Sequence, residues 1–316
     1  MKTKKIIGSI IVLGLVIFAF LYYSKMQKDK WVRESPETKY SEQRENEVWG
    51  KILRGGNPSL FYGTPLYEVA NAMSGLPYFR NEEKIIKLIN EIPKEYINYQ
   101  EGKFGHTIGH FALRTYNFGA IRKLLDRGLN PNLMDKMEGA IIIEINSSAY
   151  SYKSPESLKT LKYMIQKGAN VNLYSKKAQF TTPLIEAAKS NLENVKILVE
   201  AGANPHFINE FGYVFKSPLS AALLYKRIEI VNYLIFNQKV DFRALKHPMD
   251  SKFHPGDYEI LYNLREMFFE LNSKKYQEKM RLVAYLKTQG LDYWKTPIEE
   301  RFRNNPNYTP EYLSKY

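Results

Sequence analysis

Apolar residues fall along this chain in two patterns. From Ile6 to Tyr23, eighteen residues (IIGSIIVLGLVIFAFLYY) run without a charge between two basic clusters. As a helix this run is roughly 27 Å long, at about 1.5 Å per residue, which matches a thin bilayer. Tyr22 and Tyr23 suit the interface at its end. From Lys28 to Glu47 the chain is polar and charged, as in a stalk. Further on, apolar positions recur at helical spacing in paired short segments. In TTPLIEAAKSNLENVKILVEAGANP, Thr181 to Pro205, Leu184, Ala187 and Ala188 stand at i, i+3 and i+4. Val195, Leu198 and Val199 then mark one face of a second segment. Each pair predicts two helices packed through alanines, where backbones approach closely.

The ends of these segments carry their own signals. Thr182 and Ser217 precede Pro183 and Pro218, as a hydroxyl cap precedes a proline in the first helical turn. Gly128, Gly168 and Gly202 close the second helices, and Asn130, Asn170 and Asn204 follow as turn formers. The glycines lie 40 and then 34 positions apart. The longer step carries an insertion, SYKSPES, Ser151 to Ser157. Six repeats follow from this spacing: 64–100, 107–134, 139–174, 181–209, 217–242 and 257–293. Two depart from the pattern: the third lacks the Thr-Pro-Leu start, and Gln238 stands for the glycine in the fifth.

These residues resemble the ankyrin repeat, T-P-L-H-x-A followed by a second helix and G-A-N/D. The resemblance covers about 230 residues and is most specific in the central three repeats. It implies an all-α helical repeat solenoid with short hairpin loops, here behind one N-terminal transmembrane helix. The expected organisation is a basic tail (1–5), a membrane helix (6–23), a stalk and N-terminal cap (24–60), the array (61–293) and a C-terminal tail (294–316).

Composition narrows the function. No cysteine is present, which excludes disulfide scaffolds, thiolate metal sites and cysteine nucleophiles. The net charge of +13 at first suggests nucleic acid. Residues 1–33, however, hold seven basic residues and one acid, which leaves +7 over residues 34–316. Much of the basicity therefore flanks the apolar run. Three lysines before that run favour a cytoplasmic N-terminus, and the C-terminal body is expected outside the cytoplasm. The competing reading of the run is a cleaved signal peptide, but its apolar core is long and no small-x-small pair follows it.

Catalytic signatures are missing: no G-x-S-x-G elbow, phosphate-binding loop or dinucleotide turn occurs. His106 and His110 stand four apart, as metal ligands on a helix do, but no acid lies between them as in H-E-x-x-H. In the ankyrin resemblance His110 falls at the histidine of T-P-L-H, a position that hydrogen-bonds between neighbouring repeat loops. No enzyme, cofactor, metal or small-molecule substrate is expected.

Recognition is the remaining class. In a stacked array the hairpin tips and first helices form a binding face. Register places Tyr174, Lys176, Lys177, Phe207, Phe211, Tyr213 and Phe215 in the hairpins between repeats three, four and five. Aromatics beside lysines suit a protein interface. Residues 103–245 hold 19 basic and 11 acidic residues, so an acidic protein surface is the expected partner rather than nucleic acid. The anchored architecture also resembles immunity proteins that neutralise envelope-targeted toxins. An assembly or stability factor for a periplasmic enzyme is the alternative.

Overall fold

The computed structural model describes residues 57–75, 80–151, 154–177, 180–209, 216–247, 249, 255–298 and 309–315. The apolar run at 6–23 and the stalk to residue 56 lie outside the described residues. No helix among the described residues is long and apolar enough to cross a membrane. The described residues form helices and turns, with isolated bridges in place of strands. The described residues divide into two compact bodies, one up to Ala120 and one from Ile121 onward.

The first body contains α1 (Leu66–Met73), α2 (Glu82–Glu91) and α3 (Ile108–Arg114); the division falls within α4 (Phe118–Asp126). Leu66, Val69, Ala70 and Met73 of α1 are buried, as are Ile85 and Ile89 of α2. Asn81 caps α2 by accepting the N–H of Lys84 at 2.8 Å. Thr107 caps α3 in a reciprocal box in which His110 supplies the returning side chain. His110 Nδ1 lies 2.9 Å from Thr107 Oγ1, so this histidine serves its own helix start. His106 stacks between Phe104 and His110, and Arg114 Nη1 lies 2.8 Å from its Nδ1.

The second body stacks the helix pairs that the sequence pattern predicts. Repeat three has α5 (Ile141–Glu144), α6 (Ser148–Ser151) and α7 (Pro155–Gln166). Repeat four has α8 (Pro183–Ala188) and α9 (Leu192–Glu200), and repeat five has α10 (Pro218–Leu224) and α11 (Ile228–Asn232). Repeat six has α12 (Glu259–Glu266) and α13 (Lys274–Thr288). Thr182 accepts the N–H of Ile185 at 3.2 Å, and Ser217 forms a reciprocal box with Ser220. Ala140, at the same place in repeat three, offers no side-chain cap, and α5 ends after four residues. Leu184, Ala187, Ala188, Val195 and Leu198 are all buried, as their spacing requires.

Gly128, Gly168 and Gly202 adopt φ of +96°, +89° and +92°. Repeat five differs from the sequence expectation. A π turn, Tyr233–Asn237, extends α11, and Gln238 keeps φ at −95°. Lys239, one position later, takes the left-handed place at φ +57°. The wider turn adds a residue before the chain reverses, so the substitution for glycine is at Lys239 and not at Gln238.

After α13 the chain returns across repeat six. Arg265 of α12 donates to the carbonyls of Thr296 (3.0 Å) and Trp294 (3.2 Å). Tyr293 is buried, with the Arg265 guanidinium 4.0 Å and the Lys279 ammonium 5.1 Å from its ring centre. Residues 309–315 then form part of the packed body through α14 (Pro310–Lys315), whose Tyr312 is buried.

Candidate binding surface

The hairpins between repeats build one continuous row in the second body. The first, closed by the bridge Met134–Ala140, is shaped by Asp135. Its Oδ1 accepts the N–H groups of Met137 and Gly139, both at 2.8 Å. A Cβ at Gly139 would lie 2.7 Å from Glu144 Oε1, so any larger residue here would push that carboxylate aside. The next hairpins are closed by the bridge Ser175–Thr181, by Asn209 donating to Lys216 O at 2.6 Å, and by the bridge Lys246–Tyr258.

One side chain ties each hairpin to its neighbour. Glu138 accepts the N–H groups of Lys176 (2.5 Å) and Lys177 (3.1 Å). Tyr174 donates to Asn209 Oδ1 at 2.8 Å, and its ring lies against Phe207 with centres 5.4 Å apart. Lys216 pairs with Glu259 at 2.9 Å and reaches Lys246 O at 3.4 Å. Burial, and then the Glu138 carboxylate, raises the Tyr174 phenol above the usual tyrosine value.

The predicted site residues thus divide into three groups. Tyr174 and Phe207 are half-buried and join adjacent hairpins. Lys176 and Lys177 are exposed at a tip whose backbone is held from behind. Phe211, Tyr213 and Phe215 lie outside the described residues. Met137 (59% exposed), Ile208 (46%) and Met249 (81%) also project from the row. Neither they nor Glu138 and Glu259 stand out in the sequence, because their partners lie on other repeats.

The first helices contribute little to this surface. Residues 181–190 and 217–223 are buried throughout, and on α10 only Leu224 is exposed. The exposed groups therefore gather at the hairpins rather than along α8 and α10.

Beneath the tips, each hairpin begins with the same turn. Asn130, Asn170, Asn204 and Asp241 each accept the N–H two residues ahead, at 2.9–3.0 Å. Asn132 and Asn172 then clamp the next repeat. Their amides donate to the carbonyls of Gly168 (3.0 Å) and Gly202 (2.9 Å). Their oxygens accept the N–H groups of Asn170 (2.7 Å) and Asn204 (2.9 Å). At the last junction Arg243 donates to Gln289 O at 3.0 Å. Such repetition is the structural signature of stacked repeats.

A family model for ankyrin repeats (3 copies) matches residues 148–244, the stretch that holds the clamps of Asn172 and the helix pairs α8–α9 and α10–α11. No curated protein matches the chain. The helix pairs, the glycine turns and the family match agree that residues 148–244 carry ankyrin repeats.

Proposed function

We propose that this protein binds a protein partner through its hairpin row, and that it does so while tethered to a membrane by residues 6–23. The observation that carries the reading is the pinning of adjacent hairpins by Glu138, Tyr174 and Lys216. Pinned loops lose little entropy on binding, so their exposed groups act as a preformed surface. Those groups combine cations, Lys176 and Lys177, with apolar Met137 and Ile208. An acidic protein surface with apolar anchors is complementary to that combination. The lysines steer the encounter, and desolvated side chains hold the complex.

The basic N-terminus supports a cytoplasmic start and an extracytoplasmic body. In that compartment the sharpest version of the reading is neutralisation of an envelope-targeted toxin. The alternative is assembly or stabilisation of a periplasmic enzyme. The test is capture from envelope extract with full-length protein. The same capture is repeated with Lys176→Gln and Lys177→Gln together and with Met137→Ala. Identification of the captured protein as a toxin or as a resident enzyme separates the two versions. Capture unchanged by these substitutions but abolished by changes on α9, at Lys196 or Glu200, would remove the hairpin row from the function.

A further inference from the structure

The turn at the C-terminal end of α12, opposite the hairpin row, holds a second and separate contact. Residues 267–273 link α12 to α13, and α14 packs against them through Tyr312. Tyr312 is 4% exposed and lies in a small apolar cluster of its own with Phe268, Leu271, Tyr276, Ile298 and Leu313. Its ring stacks on Phe268 with centres 4.3 Å apart. Its hydroxyl donates to the carbonyl of Phe269 at 3.0 Å and accepts the N–H of the same residue at 3.1 Å. Tyr276 completes the seat by donating to Lys315 O at 2.7 Å.

Tyr312 is the single buried side chain of α14. Pro310, Glu311, Ser314 and Lys315 are exposed, and Leu313 is half-buried. A helix of six residues is not stable in water by itself, so the seat holds it in shape. With so few buried contacts the segment belongs to the easily opened end of the stability range. An open seat would leave the Phe269 backbone groups and an apolar patch to water, where a similar peptide would satisfy both.

We propose that this turn is a peptide-binding site that reads a tyrosine followed by a leucine, and that the chain fills it with its own residues 309–315 as a removable latch. The bond pair on Phe269 selects tyrosine over phenylalanine, since the ring alone leaves both backbone groups without a partner. The site is independent of the hairpin row, because it lies at the other end of α12, about 12 Å along a helix of eight residues.

The test uses the full chain and a labelled peptide of residues 309–316, TPEYLSKY, read by fluorescence anisotropy. In a chain with Tyr312→Ala the seat is vacated, and the peptide binds at least about tenfold more tightly than to the wild-type chain. The same peptide carrying Tyr312→Phe binds about five- to tenfold more weakly, the loss expected for one or two hydrogen bonds. Absent or equal binding by a Tyr312→Ala chain with wild-type helical content and melting temperature overturns the proposal. Should that variant fail to fold, hydrogen exchange in a full chain with Tyr312→Phe decides. The Phe269 amide then exchanges faster while the Leu198 amide within α9 does not. An unchanged Phe269 amide overturns the proposal.

Discussion

The side-chain oxygen of Asn132 accepts the backbone N–H of Asn170, 38 positions further along the chain, at 2.7 Å. The Asn132 amide simultaneously donates to Gly168 O, so one residue holds both a donor and an acceptor of the next repeat. Asn172 repeats this with Gly202 and Asn204. His206 occupies the corresponding place in repeat four, after Asn204-Pro205. Among the described residues it makes no such clamp.

Asn172→Ala removes two exposed hydrogen bonds and is expected to cost about 1–2 kcal/mol. His206→Ala is expected to change stability by less than about 0.5 kcal/mol. Urea denaturation of both variants checks the contrast. Equal losses would show that the clamp does not set the register.

Gly202 stands at φ +92° with nothing within 4 Å of a Cβ built there. A penalty at this position is therefore conformational and not steric. Gly202→Val is expected to cost on the order of 1–2 kcal/mol or more, and Gly202→Asn less. Leu184→Ala, in the buried core of repeat four, is expected to cost about 2–5 kcal/mol. Calorimetric melting of the three variants gives the order.

Lys279 is wholly buried and donates to Met267 O at 3.3 Å. Burial first, and the Arg265 cation second, hold its ammonium well below the ordinary lysine value. Folding thus disfavours the protonated form. The unfolded chain binds more protons between the folded value and the ordinary one near 10.4, so stability rises with pH across that window. Below the folded value the full penalty applies. Lys279→Met should flatten this rise, and the difference between wild-type and variant melting curves from pH 7 to 10 isolates it. Parallel curves would contradict the assignment.

Lys176→Gln with Lys177→Gln removes two tip cations without placing a new carboxylate beside Glu138, which lies 3.9 Å from Lys177 Nζ. Association with the partner is expected to slow and to lose salt sensitivity, with little change in dissociation. Tyr174→Phe keeps the ring against Phe207 but loses the bond to Asn209. It is expected to loosen the row and speed dissociation by a few-fold, about what one hydrogen bond is worth. Surface plasmon resonance at two salt concentrations reads both effects.

A reporter fused after Tyr316 tests the proposed topology, which rests on the apolar run and the basic residues before it. A fusion to a reporter that works only outside the cytoplasm should be active. Activity of a cytoplasm-only reporter instead would remove the extracytoplasmic reading and the toxin partner with it.

Local chemistry made most of the repeat pattern legible. A hydroxyl before Pro183 or Pro218 can cap only a helix start, and Gly128, Gly168 and Gly202 supply a backbone conformation that costs other residues energy. Leu184, Ala187, Val195 and Leu198 declare their buried faces by spacing alone. These signals depend on neighbours within a few positions, so the sequence by itself determined the helix pairs, their order and the loops that face outward. It could not determine that Lys239 takes the left-handed place, because a π turn shifts the register without a residue that announces it. Nor could it show that Glu138 serves Lys176, that Tyr174 serves Asn209 or that Tyr312 returns to Phe269. Those partners lie 35 to 43 positions apart. Tertiary structure decided them, because a contact between repeats exists only once stacking has brought distant hairpins and turns within hydrogen-bonding distance.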